Sequence, residues 1–240
     1  MSPSTKKTEQ LRMKTFRVND IFYSLQGEGH NTGRAAVFIR FAGCNLRCSF
    51  CDTEFDSYRE MTSEEIIAAI ASYPARFVVL TGGEPTLQVD EAFVDQLHHH
   101  GYEVAMESNG TRPAPRNLDW LTVSPKEIKG QRHPLATRSN LFACQSKKGT
   151  QEGMQEAKGG KQPDEIKIVF ESEDSLNDML TFLTPSLWRG EGGVSLLYLQ
   201  PCDTGDAECN KRITEACIRY IEAHPEWRLS LQTHKLIGFK

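Results

Sequence analysis

Residues 36–53 read AVFIRFAGCNLRCSFCDT. An apolar run over 36–41, broken only by Arg40, is followed by Gly43 and then by a polar loop that holds three cysteines. A buried strand that runs into a glycine and a polar loop is typical of α/β proteins, in which the loops at the carboxyl ends of parallel strands converge on one site. We therefore predict an α/β fold whose chemistry begins at the loop after this strand.

The rest of the chain alternates between short apolar runs and amphipathic segments, which favours parallel strands joined by right-handed βα crossovers. We predict a partial, open βα barrel of about six parallel strands. The predicted strands cover residues 36–41, 77–80, 103–106, 121–123, 166–170, 196–199 and 229–231. The predicted helices cover residues 62–72, 91–99, 174–183 and 207–223.

The domain organisation follows from composition. Residues 1–14 are polar and without periodicity, so we predict a disordered lead-in there and a single domain over 15–240. A stretch at about 143–163, rich in Gly, Lys and Gln, predicts a long polar loop inside that domain.

The composition also excludes several classes of function. No apolar run approaches the ~18 residues of a membrane span, and no secretory signal is visible, so we expect a cytoplasmic protein without a membrane partner. The 240-residue chain carries a net charge of −4, which disfavours direct binding to nucleic acid. Seven cysteines in a reducing compartment favour metal binding or catalysis over disulfides.

Cys44, Cys48 and Cys51 have the spacing C-x3-C-x2-C. A zinc site is one interpretation, but structural zinc prefers four protein ligands, and only His30 offers a possible fourth. Three thiolates instead suit a four-iron cluster in which one iron has no protein ligand and accepts a chelator from outside. We favour the cluster.

This spacing, with Phe50 before the last cysteine, resembles the signature of the radical S-adenosylmethionine (SAM) superfamily. TGGEP at 81–85 is similar to the second motif of that superfamily, in which glycine backbone and a glutamate hold the methionine part of SAM. The resemblance implies that SAM chelates the open iron of a [4Fe-4S] cluster. It also implies that one electron splits SAM to a 5′-deoxyadenosyl radical.

Further segments resemble the 7-carboxy-7-deazaguanine synthase family, namely SLQGEG at 24–29, FIRFAGCNL at 38–46, CDT at 51–53, SPK at 124–126 and LQTHK at 231–235. The resemblance implies conversion of 6-carboxy-5,6,7,8-tetrahydropterin to 7-carboxy-7-deazaguanine with loss of ammonia, a step toward queuosine and related 7-deazapurines. It further implies an external one-electron reductant, Mg²⁺ and a homodimer.

Site residues follow from the same resemblance. The implied ligands of the cluster are Cys44, Cys48 and Cys51, and the implied Mg²⁺ ligand is Thr53. The implied SAM contacts are Phe50, Cys51, Asp52, Gly83, Glu84, Ser124, Pro125, Lys126, Gln200, Pro201, Cys202 and Asp203. The implied substrate contacts are Leu25, Gln26, Gly27, Glu28, Arg40, Thr81, His234 and Lys240.

Two of these roles have a direct physical rationale. The guanidinium of Arg40 can pair with the carboxylate of a substrate through two hydrogen bonds. The terminal carboxylate of Lys240 can bind an aminopyrimidine edge in the same way.

The remaining cysteines favour simpler interpretations. Cys217 lies on the apolar side of a predicted helix and is expected in the core. Cys202 and Cys209 are too far apart to form a usual metal-ligand pair, so we predict free thiols.

Two alternative functions remain open. One is a radical SAM activase that acts on a partner protein, and the other is a noncatalytic iron–sulfur or zinc protein. Release of 5′-deoxyadenosine, with and without the pterin, distinguishes all three.

Overall fold

The fold is taken from a computed structural model that describes residues 14–48, 51, 57–126, 160–182 and 196–239. Its strands are β1 (Thr15–Leu25), β2 (Ala35–Phe41), β3 (Arg59–Thr62), β4 (Phe77–Gly82), β5 (Glu103–Ser108), β6 (Trp120–Val123), β7 (Glu165–Phe170), β8 (Leu196–Pro201) and β9 (Trp227–Leu229). They form one sheet in the order β3-β1-β2-β4-β5-β6-β7-β8-β9. The sheet is parallel from β2 to β9, and β1 runs antiparallel to both of its neighbours. The predicted open α/β sheet is therefore confirmed, with seven parallel strands among the described residues where about six were expected.

The helices are α1 (Ser63–Ile70), α2 (Glu91–His99), α3 (Glu173–Phe182), α4 (Ala207–Ala223) and the short α5 (Thr233–Ile237). The start of α1 is set by a capping box, in which Thr62 caps the helix and Glu65 bonds back to the Thr62 N–H. Four of these helices were predicted, with end points within two residues of those observed. The prediction missed α5.

The antiparallel strands β1 and β3 were also missed. The pairing register of β1 with β2 shifts between Val18 and Asp20, so an extra residue interrupts the alternation of buried and exposed positions. The last strand was predicted at 229–231 but lies at Trp227–Leu229.

The two larger core clusters lie on the helix-facing side of the sheet, and a smaller one that includes Phe38 and Val79 lies on the opposite side. One cluster packs α1 and α2 against β1, β2, β4 and β5, and a second packs α3 and α4 against β7, β8 and β9. Cys217 belongs to the second cluster and is completely buried, as predicted. The described parts of the chain contain no helix with the length and apolar character needed to cross a bilayer.

The described residues cover only the ends of the predicted lead-in and polar loop. Residues 1–13 lie outside them, whereas the ammonium of Lys14 is 2.6 Å from the carboxylate of Asp90. Residues 143–159 also lie outside. The last residues of the predicted loop are described, and there the Lys161 N–H donates to the Ala114 carbonyl at 3.1 Å.

Candidate active site

Alternation along the parallel strands places a row of polar side chains opposite the helices. In β2, Val37, Ile39 and Phe41 enter the helix-facing core, so Arg40 points to the other side. The same alternation sends Thr81 of β4, Glu107 of β5, Thr122 of β6, Lys167 of β7 and Gln200 of β8 into one cleft. The carboxyl ends of six neighbouring strands thus supply the floor of the site.

The cleft has a volume of about 1270 Å³. A pocket of ~300–1000 Å³ holds one drug-sized ligand, so this cleft has room for more than one. Predicted site residues in its lining are Leu25, Gln26, Gly27, Glu28, Arg40, Cys44, Cys48, Cys51, Thr81, Gly83, Ser124, Lys126, Gln200, Pro201, Cys202, Asp203 and His234.

The loop after β2 brings the three cysteines to one end of the cleft. Cys44 and Cys48 are partly buried and Cys51 is exposed, and the Cys51 N–H donates to the Cys48 carbonyl at 3.2 Å. Burial raises the pKa of the Cys44 and Cys48 thiols. The Cys44 sulfur accepts hydrogen bonds from the Leu46 N–H at 3.4 Å and from the Asn109 amide at 3.9 Å. Such donors stabilise a thiolate and orient it toward a metal.

His30, the possible fourth ligand of a zinc site, is engaged elsewhere. Its ring stacks on the indole of Trp120 at a centroid distance of 4.7 Å, and its backbone N–H donates to Glu165 at 2.8 Å. Trp120 opens β6, whereas the cysteines follow the carboxyl end of β2.

Gly83 allows the second loop to lie directly on the cysteine loop. The Gly83 N–H donates to the Phe41 carbonyl and the Glu84 N–H to the Gly43 carbonyl, both at 2.9 Å. A Cβ at position 83 would overlap the carbonyl oxygen of Gly43. The glycine is therefore required by loop packing in addition to any approach of SAM.

Glu84 lies behind the wall of the cleft, although we predicted a SAM contact for it. Its fully buried carboxylate accepts from the Thr86 N–H and hydroxyl, from the Ser108 hydroxyl and from the Asn109 N–H. It caps the 3-10 turn Pro85–Leu87. Through these contacts Glu84 connects the loop after β4 to the end of β5 and the loop that follows it.

At the other end of the cleft, the turn after β1 meets the strand ends. The Gln26 amide donates to Glu107 at 2.9 Å, and the Thr81 hydroxyl donates to the other oxygen of Glu107 at 2.8 Å. Thr81 and Gln26 are thereby held in fixed positions beside Arg40 in the lining.

Glu28 forms an ion pair with Lys167, which is 5 % exposed, and it accepts a second hydrogen bond from Gln232 at 3.0 Å. Burial alone would raise the pKa of Glu28, but the charge of Lys167 and these hydrogen bonds outweigh it and hold the pKa at about 2. The site therefore keeps a partly covered carboxylate in its charged form.

One polar atom of Arg40 has no hydrogen-bond partner in the part of the chain that the structure describes. Its Nε is buried and makes no hydrogen bond within the described residues, and its guanidinium lies 5.5 Å from the Phe22 ring centroid. A buried donor of this kind fits an anionic ligand in the cleft.

The C-terminal segment closes one side of the cleft. The Thr233 N–H and hydroxyl both donate to the Gly27 carbonyl, at 3.1 and 2.9 Å. The imidazole of His234 lies so close to Gly27 that a Cβ there would overlap its Nδ1. The C-terminal segment therefore lies against the turn after β1 and brings the predicted substrate contacts Gly27 and His234 together.

The predicted SAM segments after β6 and β8 also reach the cleft. The ammonium of Lys126 donates to Ser124 at 2.6 Å, and burial lowers its pKa. Asp203 pairs with Lys235 at 3.0 Å, and this hydrogen bond is the main reason that its pKa falls to about 2. Pro125 is absent from the lining among the described residues, and the predicted Phe50, Asp52, Thr53 and Lys240 lie outside them.

Comparisons with known proteins agree with this geometry. The profile of the Radical SAM superfamily matches residues 38–125. The 7-carboxy-7-deazaguanine synthase of Bacteroides thetaiotaomicron is 42 % identical over 225 residues, covering 93 % of this chain and 98 % of the relative. That of Caulobacter vibrioides is 35 % identical over 246 residues, covering 93 % and 99 %. The crystal structure of QueE from Escherichia coli matches with a TM-score of 0.66 and 27 % identity, covering 90 % of this chain and 93 % of that one.

The chain belongs to the 7-carboxy-7-deazaguanine synthase family.

Membership of the radical SAM superfamily implies SAM and a [4Fe-4S] cluster, and the thiols of the cleft fit such a cluster. Three thiols face a single cleft, and the sulfur of Cys44 already receives two N–H donors. A cluster that binds one thiolate per iron and leaves one iron open suits this donor set.

Several residues of the lining had no predicted role in the site, among them Lys167 and Gln232. A signal for Lys167 was present, since EIKIVF places one lysine in the middle of an apolar strand. Gln232 lies within the LQTHK segment, two residues before the predicted contact His234. Glu107 and Asn109 follow the predicted third strand, at the sheet edge where we expected the site, although no specific role was predicted for them.

Proposed function

We propose that the chain converts 6-carboxy-5,6,7,8-tetrahydropterin to 7-carboxy-7-deazaguanine with release of ammonia, a step toward queuosine and related 7-deazapurines. The observation that carries this proposal is the set of side chains that line the cleft. Its lining contains a triplet of thiols, an arginine whose buried Nε makes no hydrogen bond within the described residues, and a charged carboxylate.

The cluster and SAM together supply a 5′-deoxyadenosyl radical when they are bound. Cys44, Cys48 and Cys51 would hold the cluster. Gly83, Ser124, Lys126 and the segment 200–203 would hold SAM, because they lie in the same lining as the thiols. Phe50, Asp52, Glu84 and Pro125 stay predictions as SAM contacts.

The substrate end would bind by charge and hydrogen bonds. Arg40 would pair with the 6-carboxylate, since its buried Nε makes no hydrogen bond within the described residues. Thr81 and Gln26 are locked by Glu107 and would set the distance between the pterin and the radical source. Leu25, Gly27, Glu28 and His234 would complete the pocket.

The chain's own residues would also control solvent. Thr233 ties the C-terminal segment to Gly27, and Phe239 from the same segment lies in the lining. Exclusion of water protects a radical from side reactions. Lys240 stays a predicted substrate contact.

Mg²⁺ is part of the proposal through Thr53, a residue outside the described ones. A single hydroxyl is a weak site, but Mg²⁺ prefers oxygen ligands and retains waters, so oxygens of the substrate would complete its shell. Omission of Mg²⁺ should then raise the KM for the pterin and leave SAM cleavage without substrate unchanged.

We also propose an external one-electron reductant and a homodimer. Exposure of Cys51 gives a donor access to the cluster end of the cleft. Leu236 and Ile237 are 69 % and 72 % exposed, which favours burial against a second copy. Analytical ultracentrifugation of the wild type and of Ile237→Asp tests the dimer, which should dissociate in the variant.

The decisive experiment is anaerobic cluster reconstitution followed by incubation with SAM, reductant, Mg²⁺ and the pterin, with mass detection of both products. The wild type should form 7-carboxy-7-deazaguanine and 5′-deoxyadenosine. Cys48→Ala should form neither, whereas Cys217→Ala, which changes a buried thiol of α4, should form both. Turnover in Cys48→Ala would refute the proposal.

A further inference from the structure

Glu28 and its neighbours present an ordered set of hydrogen-bonding groups to the cleft. Lys167 donates to Oε2 of Glu28, and Gln232 donates to Oε1 at 3.0 Å. A carboxylate oxygen accepts two hydrogen bonds, so among the described residues each oxygen of Glu28 retains one acceptor position. Both Glu28 and Lys167 line the cleft.

Lys167 keeps donor capacity beyond this ion pair. Its ammonium has three N–H donors, and among the described residues its one hydrogen bond goes to Glu28. The side chain is 6 % exposed, so a cation here is held in place by β7 and has little access to bulk water. Leaving the other N–H groups of this buried ammonium without acceptors costs free energy, which favours an acceptor supplied by a ligand.

We propose that Lys167 determines specificity, acting with Glu28 to read the 2-amino-4-oxo edge of the pyrimidine ring of the substrate. This inference rests on the proposed function. On that edge, the 2-amino group and N3–H are neighbouring donors, and O4 is an acceptor beside N3. Glu28 would accept from the two donors, and Lys167, on the Oε2 side, would donate to O4.

The two residues together reject two kinds of analogue. An amino group at position 4 would bring a donor against the ammonium of Lys167, and it would also remove the hydrogen from N3, so that an acceptor faces the carboxylate of Glu28. A carbonyl at position 2 would bring an acceptor against the carboxylate of Glu28. A site built to form such hydrogen bonds discriminates strongly, because the wrong ligand leaves its buried groups unpaired.

The surrounding charges keep both partners ionised. Glu107 and Glu165 act with Glu28 to raise the pKa of Lys167 against the effect of burial. Lys126 and His234 also face Glu28, and both favour its charged form. The recognition pattern is therefore maintained at neutral pH.

The test measures the equilibrium binding of three probes to the reconstituted enzyme in the presence of SAM and without oxygen. Pteridine fluorescence is the signal. The three probes are 6-carboxypterin, its 2,4-diamino analogue and its 2,4-dioxo analogue. The wild type should prefer 6-carboxypterin over each analogue by at least about tenfold. Lys167→Met should weaken 6-carboxypterin binding by at least about tenfold and reduce the preference over the diamino analogue by at least about threefold, with the preference over the dioxo analogue retained.

Two variants serve as comparisons. Lys167→Arg retains charge and donors and should recover most of the discrimination. Lys14→Met removes an exposed lysine paired with Asp90 and should match the wild type. Far-ultraviolet circular dichroism checks that each variant is folded.

If Lys167→Met does not fold, the same binding measurements on Glu28→Gln test the inference. An amide offers one donor and one acceptor, so this variant should lose its preference over the dioxo analogue and keep only the part of the preference over the diamino analogue that Lys167 supplies. Weaker binding of all probes by Lys167→Met or Glu28→Gln, with both preferences intact, would overturn the inference. Failure of the wild type to bind any probe while it still cleaves SAM would instead refute the proposed function.

Discussion

The carboxylate of Glu84 accepts a hydrogen bond of 2.7 Å from the backbone N–H of Asn109, and this contact joins the loop after β4 to the loop after β5. The Glu84 N–H in turn donates to the carbonyl of Gly43, next to Cys44. A completely buried acidic side chain thus supports the loop that holds the cysteines.

Glu84→Gln should destabilise the protein and weaken SAM binding. The amide replaces one acceptor oxygen by a donor that would face existing donors, so we expect a loss of about 2 kcal/mol or more in the free energy of unfolding. Urea unfolding monitored by circular dichroism measures it, and SAM affinity should fall in parallel.

The matched control is Glu103→Gln, which disrupts a half-exposed ion pair with Arg34. Its effect on the free energy of unfolding should stay below about 1 kcal/mol. Equal losses in the two variants would contradict the role assigned to Glu84.

Arg40→Lys should separate substrate binding from SAM cleavage. Lysine keeps the charge but cannot pair with a carboxylate through two parallel hydrogen bonds, so the KM for the pterin should rise by about 10- to 100-fold. Formation of 5′-deoxyadenosine without substrate should remain within about twofold of the wild type.

Arg76→Lys provides the comparison, because Arg76 contacts the Tyr102 hydroxyl at 2.9 Å and does not line the cleft among the described residues. Steady-state kinetics of product formation should show no change in its KM. An unchanged KM in Arg40→Lys would remove the arginine from the substrate site.

The parts of the site that sequence predicted are local ones. The cysteine triplet and TGGEP can each be recognised from a few consecutive residues. Each follows an apolar run that is typical of a buried strand. The sequence therefore predicted the cysteine end of the cleft and the sheet edge on which it lies.

What it did not predict depends on pairing between distant segments. Glu28 and Lys167 are 139 residues apart in sequence, and their contact requires the strand order that places β7 opposite the turn after β1. The strand β1 itself was missed because its bulge breaks the alternation on which strand prediction relies.

Gly27→Ala should displace the C-terminal segment from the substrate pocket. The new methyl group would overlap the imidazole of His234, whose Cβ and Cγ would lie only 3.3 and 3.2 Å away. Because small displacements of a bound substrate reduce rates strongly, kcat/KM for the pterin should fall by about 100-fold.

Gly33→Ala tests whether backbone strain from a glycine-to-alanine change is enough to lower kcat/KM. Gly33 has a φ of 87°, and a Cβ there meets nothing within 4 Å. This variant should lose about 1 kcal/mol of stability and keep its kcat/KM. A similar fall in kcat/KM in both variants would argue against the contact with His234.

The ion pair of Glu28 makes a pH-dependent contribution to stability whose sign is fixed. The pKa of Glu28 is about 2 in the folded protein, against an ordinary value of 4.5. A carboxyl group with a lowered pKa stabilises the fold above its unfolded pKa, and this stabilisation is lost as the pH falls through the folded pKa. The contribution of Glu28 should be complete above about pH 4.5 and should disappear toward pH 2.

The difference in the free energy of unfolding between the wild type and Glu28→Gln isolates this contribution. It should be largest near neutral pH, where the variant leaves Lys167 buried without its partner, and it should shrink steadily below about pH 4.5. Urea titrations at a series of pH values measure it. A difference that stays constant with pH would mean that Glu28 is not held ionised by Lys167, because only a group with a shifted pKa links proton binding to folding.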